Sequence, residues 1–550
     1  MGSFFYGSDM DLKKRISFLE ERIKRLNEIG LSLSSEDNIN VIFELIMEEA
    51  KNITHADGRT LYMKSEDGKT MNFEILRTDS MKTIMGGTSG VEITYPAIQL
   101  FNEDGDKNLS NINTYVAHTG KTLNIKDAYK EKGFDFSGTK AFDKNTGYRS
   151  KSFLTVPLKD HEDEIIGVMQ LLNSIDQSSG KVVPFSKEMQ DQIESLASQG
   201  AVALTNKRLV LELKKLFEAF IKLIAQAIDE KSPYTGGHCE RVPEITMMLA
   251  DAVEKVDYGK YKDFKMTEDE KYELFIAGWL HDCGKVATPA HIVDKGTKLE
   301  TIFDRIEVVN HRFEILKRDF EIEFLKKKIY LIENDQESQI KDYEDEYKDK
   351  IKQISDYNQF IEKANIGGEF MKKDDQDLVK TISKYSYQLK DKKSPLLNKK
   401  DVENLSIPKG TLLPEEREQI NDHIRITIDM LEKLPYPKKL KNIPEFAGGH
   451  HEKLDGTGYP KGLKADEMSV QAKMMAIADI YEALTAADRP YKDGKKLSDA
   501  MRIMGYMKNE YEIDVDLFEI FVKEGVYKKY AKKFVKKNQL DKVDEASVLS

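Results

Sequence analysis

At 550 residues the chain exceeds what one hydrophobic core organises, so two or three domains are expected. With 40% hydrophobic and 33% charged residues it has a globular composition, and a formal net charge of -11 excludes the broad basic face that a polymeric nucleic acid needs, while leaving room for a small anion in a local basic pocket. Two cysteines, Cys239 and Cys283, argue against a disulfide framework; no apolar run approaches the roughly 20 residues that span a bilayer, and the opening MGSFFYGSDMDLKKR lacks the apolar stretch of a signal peptide, so a cytoplasmic chain with no membrane segment is expected.

Residues 1–35 read as a helix in which Leu12, Ile16, Leu19, Ile23 and Leu26 form a heptad stripe flanked by Lys, Arg and Glu. That stripe either lies on its own domain or forms a dimer seam. From 36 to 205 helical patterns mix with short strands. NVIFELIMEEAKNI is amphipathic, TLYMKSEDGKTMNFEIL reads as strand, turn, strand, and SFLTVPLKDHEDEIIGVMQLLN repeats that hairpin. The pattern predicts an α+β domain around an antiparallel sheet. The second hairpin, with NSIDQSSGKVVPFSKEMQDQIESLASQGAVALTN behind it, resembles the GAF family of small-molecule sensor domains. The resemblance implies either ligand sensing or a structural, dimerising use. Asn173 is followed by Ser174, and Phe185 by Ser186, Lys187 and Glu188, which departs from the pattern of the GAF domains that bind cyclic nucleotides.

Residues 186–230 read as one connecting helix interrupted only by Gly200, with Val210, Leu213, Phe217, Phe220, Ile224 and Ala227 in heptad spacing. At about 1.5 Å per residue such a rod is roughly 65 Å long. It serves either to carry a signal or as a rigid spacer, and a homodimer through the N-terminal and connecting helices is expected.

The second half carries the chemistry. YELFIAGWLHDCGK is apolar on almost every face until His281 and Asp282, and VQAKMMAIADIYEALTAADRPYK places Asp479 among Met474, Met475, Ile477, Ile480 and Leu484. A lone buried carboxylate costs on the order of several kcal/mol, so it must be paired, protonated or bound to a cation. HDCGK at 281–285, with PYTGGHCERV before it and HHEKLDGTGYP and DRPYK after it, resembles the HD-GYP branch of the HD superfamily of metal-dependent phosphohydrolases. The resemblance implies an all-α domain over 216–510, a C-terminal helical tail at 511–550, and hydrolysis of the bacterial second messenger cyclic di-GMP to linear pGpG and onward to GMP. The reaction would run at two divalent metal ions, iron or manganese.

Carried over residue by residue, the resemblance implies that His238, His281, Asp282 and Asp479 hold one ion and Asp282, His423, His450 and His451 the other, with Asp282 bridging. His423 is preferred to His311 because LLPEEREQINDHIRITIDMLEKL resembles the family's own helix, whereas His311 sits in charged VVNHRFE. Lys285 would bind phosphate or assist the leaving group beside catalytic Asp282, Arg489 and Lys492 would contact phosphate, and Tyr459 of the Gly458-Tyr459-Pro460 triplet would stand on the substrate side, where the family also meets GGDEF-type synthase domains. Tyr234 occupies the position of a Glu that supports a third metal in some members, with Asp229 and Glu230 close by. Cys239 and Cys283 read as packing residues, and His55, His118, His161 and His291 as structural ones.

An insertion interrupts the resemblance at about 300–408. Ile302, Ile306, Val309, Phe313, Leu316 and Phe320, then Ile340, Tyr343, Tyr347, Ile351, Ile354 and Ile361, keep heptad spacing up to Gly367-Gly368, which predicts an antiparallel, coiled-coil-like helical hairpin. It covers the site, binds a partner or forms a dimer contact. Two other readings stay open: a catalytically silent receptor for a cyclic dinucleotide or a GGDEF partner, and a hydrolase of another cyclic dinucleotide such as cyclic GMP-AMP.

Overall fold

The computed structural model describes residues 24, 27–231, 237–368, 370–487 and 494–550. The heptad Leu12 to Leu26, Tyr234, Arg489 and Lys492 lie outside the described residues. The chain divides into two units between Leu216 and Phe217, and no helix among the described residues is long and apolar enough to cross a membrane.

In the first unit, α1 (Ile39–Thr54) starts where the Asn38 side chain accepts the Asn40 amide, at 2.9 Å. The sheet runs β3 (Thr83–Gly86), β2 (Thr70–Thr78), β1 (Ala56–Lys64), β7 (Ile165–Ile175), β6 (Phe153–Lys159), β5 (Leu123–Ile125), with β4 (Ile98–Gln99) against β2 and β8 (Val182–Val183) against β7. All these pairings are antiparallel. Ile42, Phe43, Ile46 and Met47 of α1 share a core with Leu61, Ile75, Leu154, Val156 and Met169 of the sheet, and with Ile193, Leu196, Ala197 and Leu204. The last group belongs to the long connecting helix α4 (Lys187–Asp229), after α2 (Ile112–Thr119) and α3 (Ser137–Thr146). Gly200, the one breaker visible in that helix, is a contact point: a Cβ there would stand 2.6 Å from Ile46 Cδ1.

Asn173 has a local job. Its φ is +56°, its Oδ1 accepts the Lys151 and Ser152 amides at 2.8 and 3.3 Å, and its Nδ2 donates to Arg149 O at 2.9 Å. A cavity of about 260 Å³, lined in part by Arg59, Tyr62, Phe73, Tyr148 and Gln170, occupies this unit.

The second unit is mainly helical. Its principal core joins α5 (His238–Lys255), α6 (Glu268–Leu280), α13 (Ile443–Gly448) and α14 (Val470–Thr485) with α15 (Leu497–Asn509), α16 (Val515–Lys523) and α17 (Val526–Phe534). A capping box starts α6: Thr267 Oγ1 accepts the Glu270 amide at 3.2 Å while Glu270 Oε2 accepts the Thr267 amide at 2.7 Å. Leu517, Phe518, Phe521, Val526, Tyr527 and Tyr530 are all buried in this core. The segment 511–550 is thus built into the domain and does not trail from it.

The insertion has a core of its own, with Leu299, Phe313, Leu316, Ile354, Ile361, Val379, Ile382 and Leu396 at its centre. After the short α7 (Ala290–Val293), α8 (Ile306–Glu333) and α9 (Ile340–Asn365) form an antiparallel hairpin, in which Asn310 Nδ2 donates to Glu362 Oε1 at 2.9 Å near one end and Phe324 stacks on Tyr347 at 5.0 Å toward the other. Ile302 precedes α8 and is exposed. The insertion also departs from the all-α expectation. Beyond α10 (Lys373–Ile382), β9 (Ser386–Leu389) pairs with β10 (Lys392–Pro395), and α11 (Lys399–Leu405) follows. Tyr387 of β9 and Leu396, the residue after β10, fill the insertion core, and the other strand positions are mostly polar, which hides the strands from a hydrophobic pattern.

The neck of the insertion is tied. Lys295 Nζ pairs with Glu416 at 2.7 Å, Thr411 Oγ1 donates to Lys295 O at 3.0 Å, and buried Lys298 donates to Leu405 O and Ile407 O at 3.1 and 2.7 Å. Glu416 lies in the first turn of α12 (Pro414–Leu431), the helix that carries His423.

Candidate metal centre

The seven residues expected as ligands come from five separate stretches of the chain, and the second unit brings all seven together. His238 opens α5, His281 closes α6 with Asp282 next to it, His423 lies within α12, His450 and His451 follow α13, and Asp479 lies within α14. Three overlapping clusters have ligand atoms within 4.8 Å of one another: His423, His450 and His451; His238, His281 and Asp479; and His281, Asp282 and His450. His311 is exposed on α8, its Nδ1 donating to Glu307 O at 2.7 Å, far in sequence and apart from these clusters.

Asp282 is the shared member. Its Oδ2 lies 3.2 Å from both His238 Nε2 and His281 Nε2, and its Oδ1 lies 3.1 Å from His423 Nε2. Asp479 Oδ1 lies 3.3 Å from His238 Nε2. The two oxygens of Asp282 therefore face different histidines, as a bridging carboxylate would.

The local backbone sets the histidine tautomers. His281 Nδ1 donates to Gly278 O at 2.7 Å, His450 Nδ1 to Ala447 O at 2.5 Å, and His423 Nδ1 to Ile420 O. Holding the proton on Nδ1 leaves Nε2 as a lone pair aimed into the centre. Among the described residues, buried His423 Nε2, His450 Nε2 and Asp282 Oδ1 have no hydrogen-bond partner. Orphaned acceptors at the meeting point of five imidazoles and two carboxylates fit divalent cations, because nothing else among the described residues satisfies them.

Electrostatics favour the ligating form of His450, His451, Asp282 and Asp479, whereas at His238 the lowering effect of burial is outweighed by Glu482, Asp282 and Asp479, which raise it well above the usual imidazole value. Burial drives His450 well below the usual imidazole value and His451 down to about 4. For Asp282 and Asp479 burial opposes ionisation, yet it is overcome: Lys285 and His281 hold Asp282 well below the carboxylate range, and His238 does the same for Asp479. Burial raises the Cys239 thiol well above its ordinary value and the Cys283 thiol to about 11, so both remain protonated packing residues.

Lys285 hydrogen-bonds Asp282 Oδ2 from the short 3₁₀ turn Cys283–Ala287. Gly284 lets that turn lie against α12: a Cβ there would stand 2.0 Å from His423 O and 2.6 Å from Thr427 N, and the Gly284 amide donates to Thr427 Oγ1 at 2.9 Å. Tyr459 stacks on His451 with ring centroids 4.9 Å apart and 23° between planes. The Tyr459–Pro460 peptide is cis.

Two residues escaped the sequence reading. Glu452 is 3% exposed and accepts the Lys461 and Leu463 amides at 2.7 and 2.9 Å, closing the loop that presents Tyr459. Glu482 is 1% exposed; its Oε2 lies 2.5 Å from His238 Nδ1 and its Oε1 accepts from Arg241 Nε at 2.7 Å. It stands three residues after Asp479 on α14, so one helix face grips both nitrogens of His238. An acidic residue inside an apolar helix one turn from Asp479 was the available signal. Asp229 is buried and accepts the Cys239 amide at 3.2 Å, Glu230 is exposed, and neither joins the clusters found among the described residues.

Comparison with known proteins places a GAF domain at 38–204 and an HD domain at 400–517. The HD match begins after the insertion, so it contains His423, His450, His451 and Asp479 while His238, His281 and Asp282 lie ahead of it. The chain is 40% identical over 83 residues to the 3'3'-cGAMP-specific phosphodiesterase 1 of Vibrio cholerae, covering 15% of this chain and 19% of that protein. It is 44% identical over 79 residues to a cyclic di-GMP phosphodiesterase of Pseudomonas aeruginosa, covering 14% and 18%, and 37% identical over 108 residues to a cyclic di-GMP phosphodiesterase of Thermotoga maritima, covering 18% and 29%. The chain thus spans less than a third of the length of each of these curated relatives. The chain thus carries a GAF domain in its α+β unit and, after it, an HD domain in its mainly helical unit.

Proposed function

We propose that the protein is a metal-dependent phosphodiesterase of the HD-GYP type that hydrolyses cyclic di-GMP to pGpG, and onward to GMP, under the control of its GAF domain. The observation that carries this reading is the convergence of seven ligand side chains on three buried, unpartnered ligand atoms. His238, His281, Asp282 and Asp479 would hold one divalent ion, and Asp282, His423, His450 and His451 the other. Donors of imidazole and carboxylate, with both thiols protonated, suit iron or manganese as well as zinc, and the resemblance favours the first two. When bound, such a pair supplies Lewis acidity toward phosphoryl oxygens and an acidified water.

The chain's own residues do the rest. Lys285, anchored on Asp282, is placed to give a hydrogen bond, and finally a proton, to the departing ribose oxygen. The Tyr459 ring, stacked on His451, offers a flat apolar wall to a nucleotide at the edge of the centre. Arg489 and Lys492 would neutralise phosphate. In this reading the protein acts as a homodimer through its N-terminal and connecting helices, with a GGDEF-domain partner at the Gly458-Tyr459-Pro460 loop.

A second reading keeps the reaction and changes the substrate: one of the matched relatives is named a 3'3'-cGAMP-specific phosphodiesterase. Turnover of cyclic di-GMP and of 3'3'-cyclic GMP-AMP by anaerobically purified, metal-analysed protein, beside Asp282→Ala, tests both. Full metal occupancy with no turnover of either would sink the enzyme reading in favour of a silent receptor. Turnover that survives Asp282→Ala would sink the site.

A further inference from the structure

The first arm of the insertion hairpin is apolar on two opposite sides. At about 100° per residue, Phe313, Leu316, Phe320, Phe324 and Leu331 share the side that meets α9. Ile322, Leu325, Ile329 and Ile332 share the other, diametrically opposed side, where they are 48%, 46%, 56% and 46% exposed. Their spacing is 3, 4 and 3; one heptad further toward the N-terminus, Ile315 is half-buried against the insertion core, so the free seam begins at Ile322. The second arm behaves as a solvated helix should, since among the described residues α9 exposes no large apolar side chain. The hairpin core thus accounts for one face of α8 and leaves a heptad seam on the other.

The charges beside that seam say what covers it. Glu321 and Lys328 precede Ile322 and Ile329, and Lys326 and Glu333 follow Leu325 and Ile332. Among the described residues none of these four makes an ion pair within 4.0 Å, although Lys328 is near enough to Glu344 of α9 to help lower that carboxyl. Against an identical helix, parallel and in register, Glu321 of one copy meets Lys326 of the second and Lys328 meets Glu333, two attractive pairs on each side of the seam. The antiparallel arrangement puts Lys326 beside Lys326 and Lys328 beside Lys328. We infer that the outer face of α8 is a homotypic contact: it pairs, parallel and in register, with the same helix of a second copy of this chain.

The test uses the full chain, whose native Cys239 and Cys283 are buried. Leu325→Cys sits in the seam, and Glu323→Cys sits off it as the control. Mild oxidation is expected to convert the Leu325→Cys protein to a disulfide-linked dimer and to leave Glu323→Cys monomeric on a denaturing gel. Glu321→Lys in the Leu325→Cys background replaces attraction by repulsion and should lower the rate of cross-linking about five-fold, and adding Lys326→Glu should restore it. Cross-linking of Leu325→Cys no faster than that of Glu323→Cys overturns the inference. So does a mixture of Leu325→Cys and Ile329→Cys proteins that cross-links more readily with each other than Leu325→Cys does with itself, because that is the antiparallel register.

Discussion

Glu482→Gln isolates the role of the carboxylate behind His238. The substitution keeps the side chain's size and one acceptor oxygen, and removes a charge that sits 2.5 Å from His238 Nδ1 and 2.7 Å from Arg241 Nε in a position only 1% exposed. The negative charge makes Nε2 a better donor and fixes the ring so that Nε2 points at Asp479 and Asp282, 3.3 and 3.2 Å away. Losing a buried partner of this kind weakens metal binding about 10- to 100-fold. At about 1.4 kcal/mol per decade, that is roughly 1.4–2.8 kcal/mol of binding free energy. Chelator-stripped full-length protein titrated with Mn²⁺ against a competing fluorescent chelator reads the affinity directly, and a thermal melt of the metal-free protein checks that the fold persists. A Glu482→Gln dissociation constant within about two-fold of the unsubstituted protein, with the melt unchanged, would refute the reasoning that the carboxylate tunes a ligand.

Three further outcomes are expected. His423→Ala should cut bound metal, measured by elemental analysis, to about half or less, whereas His311→Ala should leave it unchanged, since His311 lies exposed on the insertion. Gly284→Ala should lower stability by about 1–3 kcal/mol in urea unfolding and reduce metal retention, because its Cβ would overlap His423 O and Thr427 N. Glu452→Ala should cost roughly 1–3 kcal/mol, by stranding the Lys461 and Leu463 amides, and should speed proteolytic cleavage between 456 and 463; an unchanged cleavage rate would show that the loop does not depend on Glu452.

Part of the candidate ligand set was legible from burial, because His281, Asp282 and Asp479 are polar residues at the end of, or inside, helices that are otherwise apolar, whereas His238, His423, His450 and His451 came from the resemblance of the motifs around them, His423 lying in a charged helix. His423 was separated from His311 by the phrase around it, and the fold buries the first and exposes the second. Glu482 obeys the same rule as Asp479, but a carboxylate has many ways to be satisfied, and only three-dimensional packing shows that its partner is the rear nitrogen of a histidine 244 positions away. Glu452 was invisible for another reason: it serves backbone amides, which carry no sequence signature. The heptads of the insertion announced α8 and α9, while β9 and β10 did not show, because only a few of their side chains are buried. The helices after 511 read as a tail since their amphipathic faces do not state which surface they cover.

The tied neck of the insertion changes what its length means. Closing a free loop of this size would cost conformational entropy that grows with the logarithm of its length, and that cost would fall on the centre itself, because His281 and Asp282 precede the loop and His423 follows it. Lys295 against Glu416 and Lys298 against the carbonyls of Leu405 and Ile407 act as rungs, so the centre experiences only a short tether between its two halves. An excised chain in which a few glycines join Lys298 to Thr411 gives up the Lys298 rung but keeps Lys295 against Glu416 and Thr411, and should therefore still assemble the seven candidate ligands.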